Sequence, residues 1–179
     1  MKILALSGSL RAASSNTYVL LAAMRLAPAD VEITLYQGIA ELPHFNPDVE
    51  SVSVPPIVEV LRDQVQEADA LLICCPEYAH GVPGSFKNAL DWLVGVGLNG
   101  KPVGLINASP RSTYVNASLT EILLIMGANM VEGASVTVPL TGRPLDAAAI
   151  AADPAFGGSL RDSLAALVEA SRDAAQPAE

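Results

Sequence analysis

Short apolar segments alternate with amphipathic segments along this chain, and the alternation limits the fold more than any other feature. Segments 70–75 and 102–108 are strongly apolar, which is typical of strands that are covered on both faces of a sheet. The segment before the first of them carries Val58, Leu61 and Val65 at helical spacing. Regular alternation with buried strands predicts an α/β protein with a parallel sheet between two layers of helices.

The same patterns predict the order of the elements. Strands are predicted at 1–6, 31–36, 70–75, 102–108 and 130–138, and helices at 16–27, 57–68, 85–94, 113–126 and 160–175. Segment 38–56 is predicted to be a long ordered loop and 176–179 a frayed end. No repeat or change of composition divides the chain, so a single domain over 1–179 is predicted. Five parallel strands favour a three-layer sandwich of order 2-1-3-4-5, which binds ligands where strands 1 and 3 end.

The net charge limits the possible partners. A formal charge of -9 argues against nucleic acid and against an anionic membrane surface. No apolar run reaches the roughly 20 residues that cross a bilayer, and the first apolar stretch is too short for a signal peptide. A cytoplasmic protein is therefore predicted. Any bound anion must therefore be held by local hydrogen-bond donors that offset the negative electrostatic field of the whole protein.

The cysteines and histidines give little sign of chemistry. Cys74 and Cys75 are adjacent, so they point to opposite faces of a strand and a bridge between them is not expected. They are interpreted as buried small apolar residues, with a reactive thiol as the alternative. Since the chain has only His44 and His80, no metal site is predicted.

A polar loop joins the first strand to the first helix. Backbone amides at the start of a helix, together with the helix dipole, form an anion site. Arg11 adds a charged donor. The loop lacks the dinucleotide and Gly-Lys-Ser/Thr patterns, so it favours a bound monophosphate. An ordinary polar loop with a capping residue is the alternative. The neutral donors are Ser9, Ser14, Ser15, Asn16 and Thr17.

A second loop, 76–84, follows the third strand and should lie beside the first. Pro76, Tyr78, Gly81 and Pro83 could form a stiff ledge whose backbone amides face the polar edge of a flat ring. A Pro- and Gly-rich turn without a ligand is the alternative. Taken alone, the sequence of this loop does not distinguish a ring-binding ledge from a turn without a ligand.

Together the two loops resemble the NADPH-dependent FMN reductase family, which includes quinone, azo and chromate reductases. The resemblance covers about residues 1–138. It rests on two motifs: Gly8-Ser9-Leu10-Arg11 with Ser14 and Asn16, and Pro76-Glu77-Tyr78 followed by Val82-Pro83-Gly84-Ser85-Phe86-Lys87-Asn88-Ala89-Leu90-Asp91-Trp92-Leu93.

The resemblance implies a flavodoxin-like fold, noncovalent FMN, NADPH or NADH as electron donor, and a homodimer or homotetramer. It implies a ping-pong reaction in which flavin N5 carries the hydride to a quinone, an azo or nitro compound, a metal oxyanion or free flavin. No side chain is predicted to be catalytic. The implied phosphate ligands are Ser9, Arg11, Ser14, Asn16 and Thr17. The implied border of the ring is Pro76, Glu77, Tyr78 and the backbone of Ala79, His80 and Gly81, with Ser109 on the other side.

The chain departs from the family at two places. Ala79 stands where the family has asparagine, and 109–113 lacks the usual glycine-rich run. Arg111 could reach the nicotinamide nucleotide, and His80 could serve as a wall or as a proton donor. Two rival functions stay open: a flavodoxin-type electron carrier without a nicotinamide site, and a flavin-free protein on the same fold.

Overall fold

The computed structural model describes residues 1–140, 142–143 and 145–175. The strands are β1 (Lys2–Ser7), β2 (Glu32–Tyr36), β3 (Ala70–Cys74), β4 (Pro102–Asn107), β5 (Asn129–Met130) and β6 (Val136–Thr137). The helices are α1 (Ser15–Leu26), α2 (Pro47–Val52), α3 (Pro56–Glu67), α4 (Gly84–Asp91), α5 (Thr113–Ile125), α6 (Ala147–Ala152) and α7 (Pro154–Ala174).

The sheet is parallel, and its order β2-β1-β3-β4-β5 is the predicted one. The register places Ser7 beside Cys74, and Cys74 beside Ile106. β1, β3 and β4 therefore end at the same edge of the sheet. The loops that follow them begin there, next to one another, as the strand order requires.

Both faces of the sheet are covered by apolar helices. In β1, Leu4 and Leu6 pack toward α3, α4 and α5, whereas Ile3 and Ala5 pack toward α1, α6 and α7. The same alternation divides β3 between the two sides. Successive side chains of a strand point to opposite faces, so a strand buried on both sides must be apolar at every position. The α/β prediction is confirmed.

The predicted fifth strand, 130–138, is divided in two. β5 and β6 are separated by a 3-10 turn at Glu132–Ala134, and both pair with β4. The turn packs against Gly104, where an added Cβ would lie 3.0 Å from Cβ of Ala134. The Ser135 hydroxyl accepts the N–H of Leu105 at 3.3 Å in place of a strand carbonyl. A strand pattern in the sequence could not reveal this interruption.

Two further boundaries differ from the prediction. α7 begins at Pro154, not at 160, because Asp153 caps it through the N–H groups of Ala155 and Phe156. The predicted loop 38–56 contains a 3-10 turn (Gly38–Glu41) and α2. The predicted frayed end, 176–179, lies outside the described residues. No helix within 1–140 or 145–175 has the length and apolar character to cross a bilayer.

Residues of α4 and its C-cap form hydrogen bonds with the segment that precedes α2. Asn88 accepts the N–H of Phe45 at 2.7 Å and donates to the carbonyl of Pro43 at 2.9 Å. The indole of Trp92 donates to that same carbonyl at 2.8 Å. Lys87 and Asp91 form an ion pair one helical turn apart. These parts of the second motif therefore stabilise the fold.

Candidate functional site

A cavity of about 600 Å³ opens at the carboxyl ends of β1, β3 and β4. Its volume lies in the range of sites that bind small organic ligands. Predicted residues from all three loops meet there, namely Ser15, Asn16, Pro76, Glu77 and Ser109. The lining also contains residues that were not among the predicted ligands, namely Ala108, Ser112, Leu140, Gly142 and Arg143. The remaining predicted residues lie on the same loops, outside the lining.

The N-terminus of α1 forms one wall of the cavity. The first backbone hydrogen bond of the helix runs from the N–H of Tyr18 to the carbonyl of Ser14, and the Ser14 side chain makes no capping bond. Within the described residues, no acceptor takes the N–H groups of Ser15, Asn16 and Thr17. The first turn also carries no acidic residue. These open amides, at the positive end of a helix dipole, fit an anion.

Hydrogen bonds hold the first loop in place from behind. The hydroxyls of Ser7 and Thr17 are 2.8 Å apart, and the Ser7 hydroxyl accepts the N–H of Ser9 at 3.3 Å. Gly8 donates its N–H to the carbonyl of Cys74 at 2.9 Å. Thr17 is thus already engaged with Ser7. Its hydroxyl fixes the shape of the loop as well as being a candidate ligand group.

Glu77 ties the second loop to α5. Its carboxylate oxygen Oε2 accepts the N–H of Tyr114 at 2.8 Å and that of Val115 at 3.1 Å. Ser112 stands at the N-cap of α5 but makes no side-chain capping bond, so Glu77 satisfies these amides from another loop. A carboxylate also interacts favourably with this end of the helix dipole. The predicted border residue therefore also caps a helix.

The tip of the second loop is a tight turn. Tyr78 and Gly81 exchange backbone hydrogen bonds at 3.0 and 3.1 Å, and between them Ala79 and His80 have φ values of 50° and 58°. Positive φ at both central residues marks a type I′ turn, which favours asparagine and glycine. The ring of His80 stacks on Tyr114, with centroids 4.3 Å apart and planes at 17°. The tip is exposed and packs on α5.

Replacing Ala79 with asparagine is expected to raise the free energy of unfolding. The left-handed conformation costs an ordinary residue about 1–2 kcal/mol, and asparagine recovers part of this through local hydrogen bonds. Urea unfolding measures the change. Ala29→Asn is a matched control, since Ala29 is an exposed turn residue without a positive φ. An equal gain at both positions, or none at Ala79, would contradict the assignment of strain to the turn.

A buried asparagine shapes the third loop. Asn107, at the end of β4, accepts the N–H of Ser109 at 3.0 Å and donates to the carbonyl of Ser112 at 3.3 Å. The Ser109 carbonyl accepts the N–H of Ser112 at 3.1 Å. Asn107 therefore presents Ser109 to the cavity. Reasoning from the sequence missed it, although a polar residue that ends an apolar strand was a usable signal.

Arg143 brings a positive charge to the cavity from the loop after β6. Its guanidinium carbon lies 4.7 Å from the ring centroid of Phe156, and its Nη2 lies 3.4 Å from Oδ2 of Asp153. The side chain is about half exposed, so Asp153 only partly screens it. Arg11, the cation that the sequence indicated, is exposed on the first loop and makes no ion pair with the rest of the described chain.

Both cysteines are buried and unbridged, as predicted. Burial raises the pKa of Cys75 to about 12, and burial together with the neighbouring Cys75 raises the pKa of Cys74 further. A raised pKa leaves the thiol protonated at neutral pH, whereas the thiolate is the nucleophile. The geometry thus favours the structural interpretation.

We expect both thiols to resist modification in the folded protein. At pH 8, Ellman's reagent should release almost no thionitrobenzoate from the native protein, and the full amount from two thiols after denaturation in guanidinium. Rapid labelling of the native protein at pH 8 would favour the reactive-thiol alternative.

The family follows from the sequence match. Residues 1–142 match the NADPH-dependent FMN reductase family. The chain belongs to this family. The resemblance of the two motifs to FMN reductases is thereby confirmed, as is the expectation of an oxidoreductase that uses FMN with NAD(P)H as electron donor.

Relatives of this FMN reductase family member include two bacterial proteins. It is 40% identical over 112 residues to an NAD(P)H-dependent FMN reductase of Pseudomonas aeruginosa, covering 61% of this chain and 60% of the relative. It is 37% identical over 136 residues to the quinone reductase of Escherichia coli K12, covering 72% of each. The alignment with the Pseudomonas protein thus spans about three fifths of that protein's length.

One solved structure resembles this family member over nearly its whole length. FerB of Paracoccus denitrificans, a flavoenzyme NAD(P)H:(acceptor) oxidoreductase, is 29% identical with a TM-score of 0.78. The match covers 96% of this chain and 97% of FerB.

The cavity fits the phosphate end of FMN by its chemistry. The open amides of α1 and the Asn16 amide supply neutral donors, and Arg143 supplies a charge in the lining. The acid in the lining, Glu77, is turned to the N-terminus of α5 by two hydrogen bonds. An anion therefore meets donors on the α1 wall, and the carboxylate that could repel it is engaged elsewhere.

Proposed function

We propose that this chain binds FMN noncovalently in the cavity at the ends of β1, β3 and β4. We further propose that it transfers reducing equivalents from NAD(P)H to a small-molecule acceptor. The observation that carries the proposal is the uncapped N-terminus of α1, which opens onto a cavity of about 600 Å³. The proposed unit is a single domain over 1–179.

The proposed ligand residues fall into two groups. The phosphate group is Ser9, Arg11, Ser14, Ser15, Asn16 and Thr17, to which Arg143 is added. The ring border is Pro76, Glu77, Tyr78, Ala79, His80 and Gly81, with Ser109 opposite. Asn107 and the carboxylate of Glu77 act by holding these groups in position. Members of both groups line the cavity, which supports the proposal. Ser15 and Asn16 belong to the phosphate group, and Pro76 and Ser109 belong to the ring border.

The protein's part in the reaction is binding and orientation. FMN held in this cavity would supply hydride transfer at N5, alternating between two substrates that use the same site in turn. The α1 amides anchor the phosphate, and the Pro76 and Ser109 loops limit the position of the ring and exclude water. No side chain is assigned a catalytic proton. Candidate acceptors are quinones, azo and nitro compounds, metal oxyanions and free flavin, with quinones supported by the name of the E. coli relative.

The absorption spectrum of the protein after reconstitution with FMN tests the cofactor. Anaerobic addition of NADPH or NADH should then bleach the visible absorption band of the flavin, and a quinone should restore it. Bound flavin that neither nucleotide bleaches would favour the electron-carrier alternative. A colourless protein that takes up no FMN would refute the proposal. A panel that pairs both nucleotides with each acceptor class ranks the substrates.

We propose a homodimer or homotetramer as the functional assembly. Tyr114 and Ile125 lie about three turns apart on α5, which places them on one side of the helix. Both are largely exposed apolar side chains, as is Leu124. Leu124 and Ile125 are adjacent, and exposed apolar residues that form a patch are typical of an interface. Light scattering on the purified protein at several concentrations gives the assembly directly.

A further inference from the structure

The side chain of Cys74 links two walls of the cavity. Its thiol donates a hydrogen bond to Oδ1 of Asn16, with sulfur and oxygen 3.3 Å apart. Its sulfur also accepts the backbone N–H of Ala108. Asn16 and Ala108 both line the cavity, one from α1 and one from the end of β4. Cys74 itself is fully buried at the end of β3, directly behind them.

These contacts fix the direction of the thiol proton. Burial keeps the thiol protonated, because it raises the pKa of Cys74. The N–H of Ala108 also interacts with the sulfur, and Oδ1 of Asn16 is the acceptor within reach of the S–H proton. The amide nitrogen of Asn16, Nδ2, then lies on the side of the amide group that faces away from Cys74. Throughout the described part of the chain, no acceptor takes the protons of this nitrogen.

We infer that Cys74 is a positioning residue that holds Asn16 with its amide donor facing the bound cofactor. The inference rests on the proposed FMN site and deepens it. An amide side chain can present either its oxygen or its nitrogen, and an outward oxygen would repel a phosphate. The hydrogen bond from Cys74 turns the amide nitrogen of Asn16 toward the cavity before the ligand binds. Asn16 then adds a donor beside the open backbone amides of α1.

The affinity of the apoprotein for FMN tests this role, measured through the change in flavin fluorescence on binding. Cys74→Val keeps a similar volume but cannot donate, and Cys74→Ala is a second variant should valine disturb the strand. Each should weaken FMN binding by about 3- to 10-fold, the effect of one lost hydrogen bond. Cys74→Ser should bind close to the wild type, since a hydroxyl both accepts and donates. Ile106→Val, a buried change beside Cys74 in the sheet, is the packing control.

A double-mutant cycle with Asn16→Ala separates positioning from packing. If Cys74 acts through Asn16, then Cys74→Val should change the FMN affinity of the Asn16→Ala protein by less than about twofold. An equal loss in both backgrounds would overturn the inference, as would full affinity in Cys74→Val alone. These results leave the proposed function intact. Failure of the wild-type protein to bind FMN would instead refute the proposed function, so the two failures are distinguishable.

Discussion

Replacing Arg11 with alanine should weaken FMN binding by about 1.5–3 kcal/mol, the typical contribution of a hydrogen bond to a charged group. The chain carries a net charge of -9, so a bound phosphate depends on local positive charge. Arg11 lies on the loop that leads into α1, and no carboxylate in the described residues pairs with it. Its guanidinium can therefore turn to the ligand without breaking an existing ion pair. Fluorescence titration of the apoprotein with FMN measures the loss.

An arginine at the other end of α1 provides the control. Arg25 is an exposed residue in the last turn of α1, at the far end from the cavity. Arg25→Ala changes the net charge by the same amount, so any general field effect appears in both variants. The difference between them should shrink as salt rises, because exposed charges are screened over about 10 Å at 0.1 M ionic strength. Unchanged affinity in Arg11→Ala would show that the amides of α1 and Arg143 suffice.

The fold was predictable because its main determinant is local. Segment 70–75 is apolar at every position, and a strand covered on both faces requires that. Periodicity then identified the helices between the strands, and the order followed from the rules for parallel sheets. The fifth strand was predicted incorrectly as continuous. Its interruption depends on the approach of Ala134 to Gly104 of β4, which is a contact between distant residues.

The candidate site was predictable only in part, for a related reason. Open amides at the start of α1 are a backbone property of any helix that follows a strand, so the loop Gly8–Thr17 was enough to indicate them. The capping of α5 by Glu77 requires two loops to meet in space. Arg143 reaches the cavity through a loop after β6 that carries neither motif. Spacing along the chain carries no information about either contact.

Replacing Gly8 with alanine should both destabilise the protein and weaken FMN binding. A Cβ at this position would lie 2.2 Å from Sγ of Cys75, and 3.0 and 3.1 Å from its Cβ and Cα. Such overpacking typically costs about 1–3 kcal/mol, and the backbone directly after β3 cannot easily yield. The loop must therefore move away from β3 and carry the α1 amides with it. We expect the displacement of these amides to lower FMN affinity by about tenfold, which corresponds to a loss of about 1.4 kcal/mol in binding free energy.

Two further variants make the cause of this loss measurable. A Cβ at Gly84, in the first turn of α4, would meet no atom within 4 Å, so Gly84→Ala should leave the urea midpoint and the FMN affinity unchanged or slightly improved. Adding Cys75→Ala to Gly8→Ala removes the sulfur and with it the shortest contact, and this should recover part of both losses. The recovery should be incomplete, because the contacts to Cα and Cβ of residue 75 remain. Wild-type stability and affinity in Gly8→Ala would mean that the loop does not need its close approach to β3 to bind FMN.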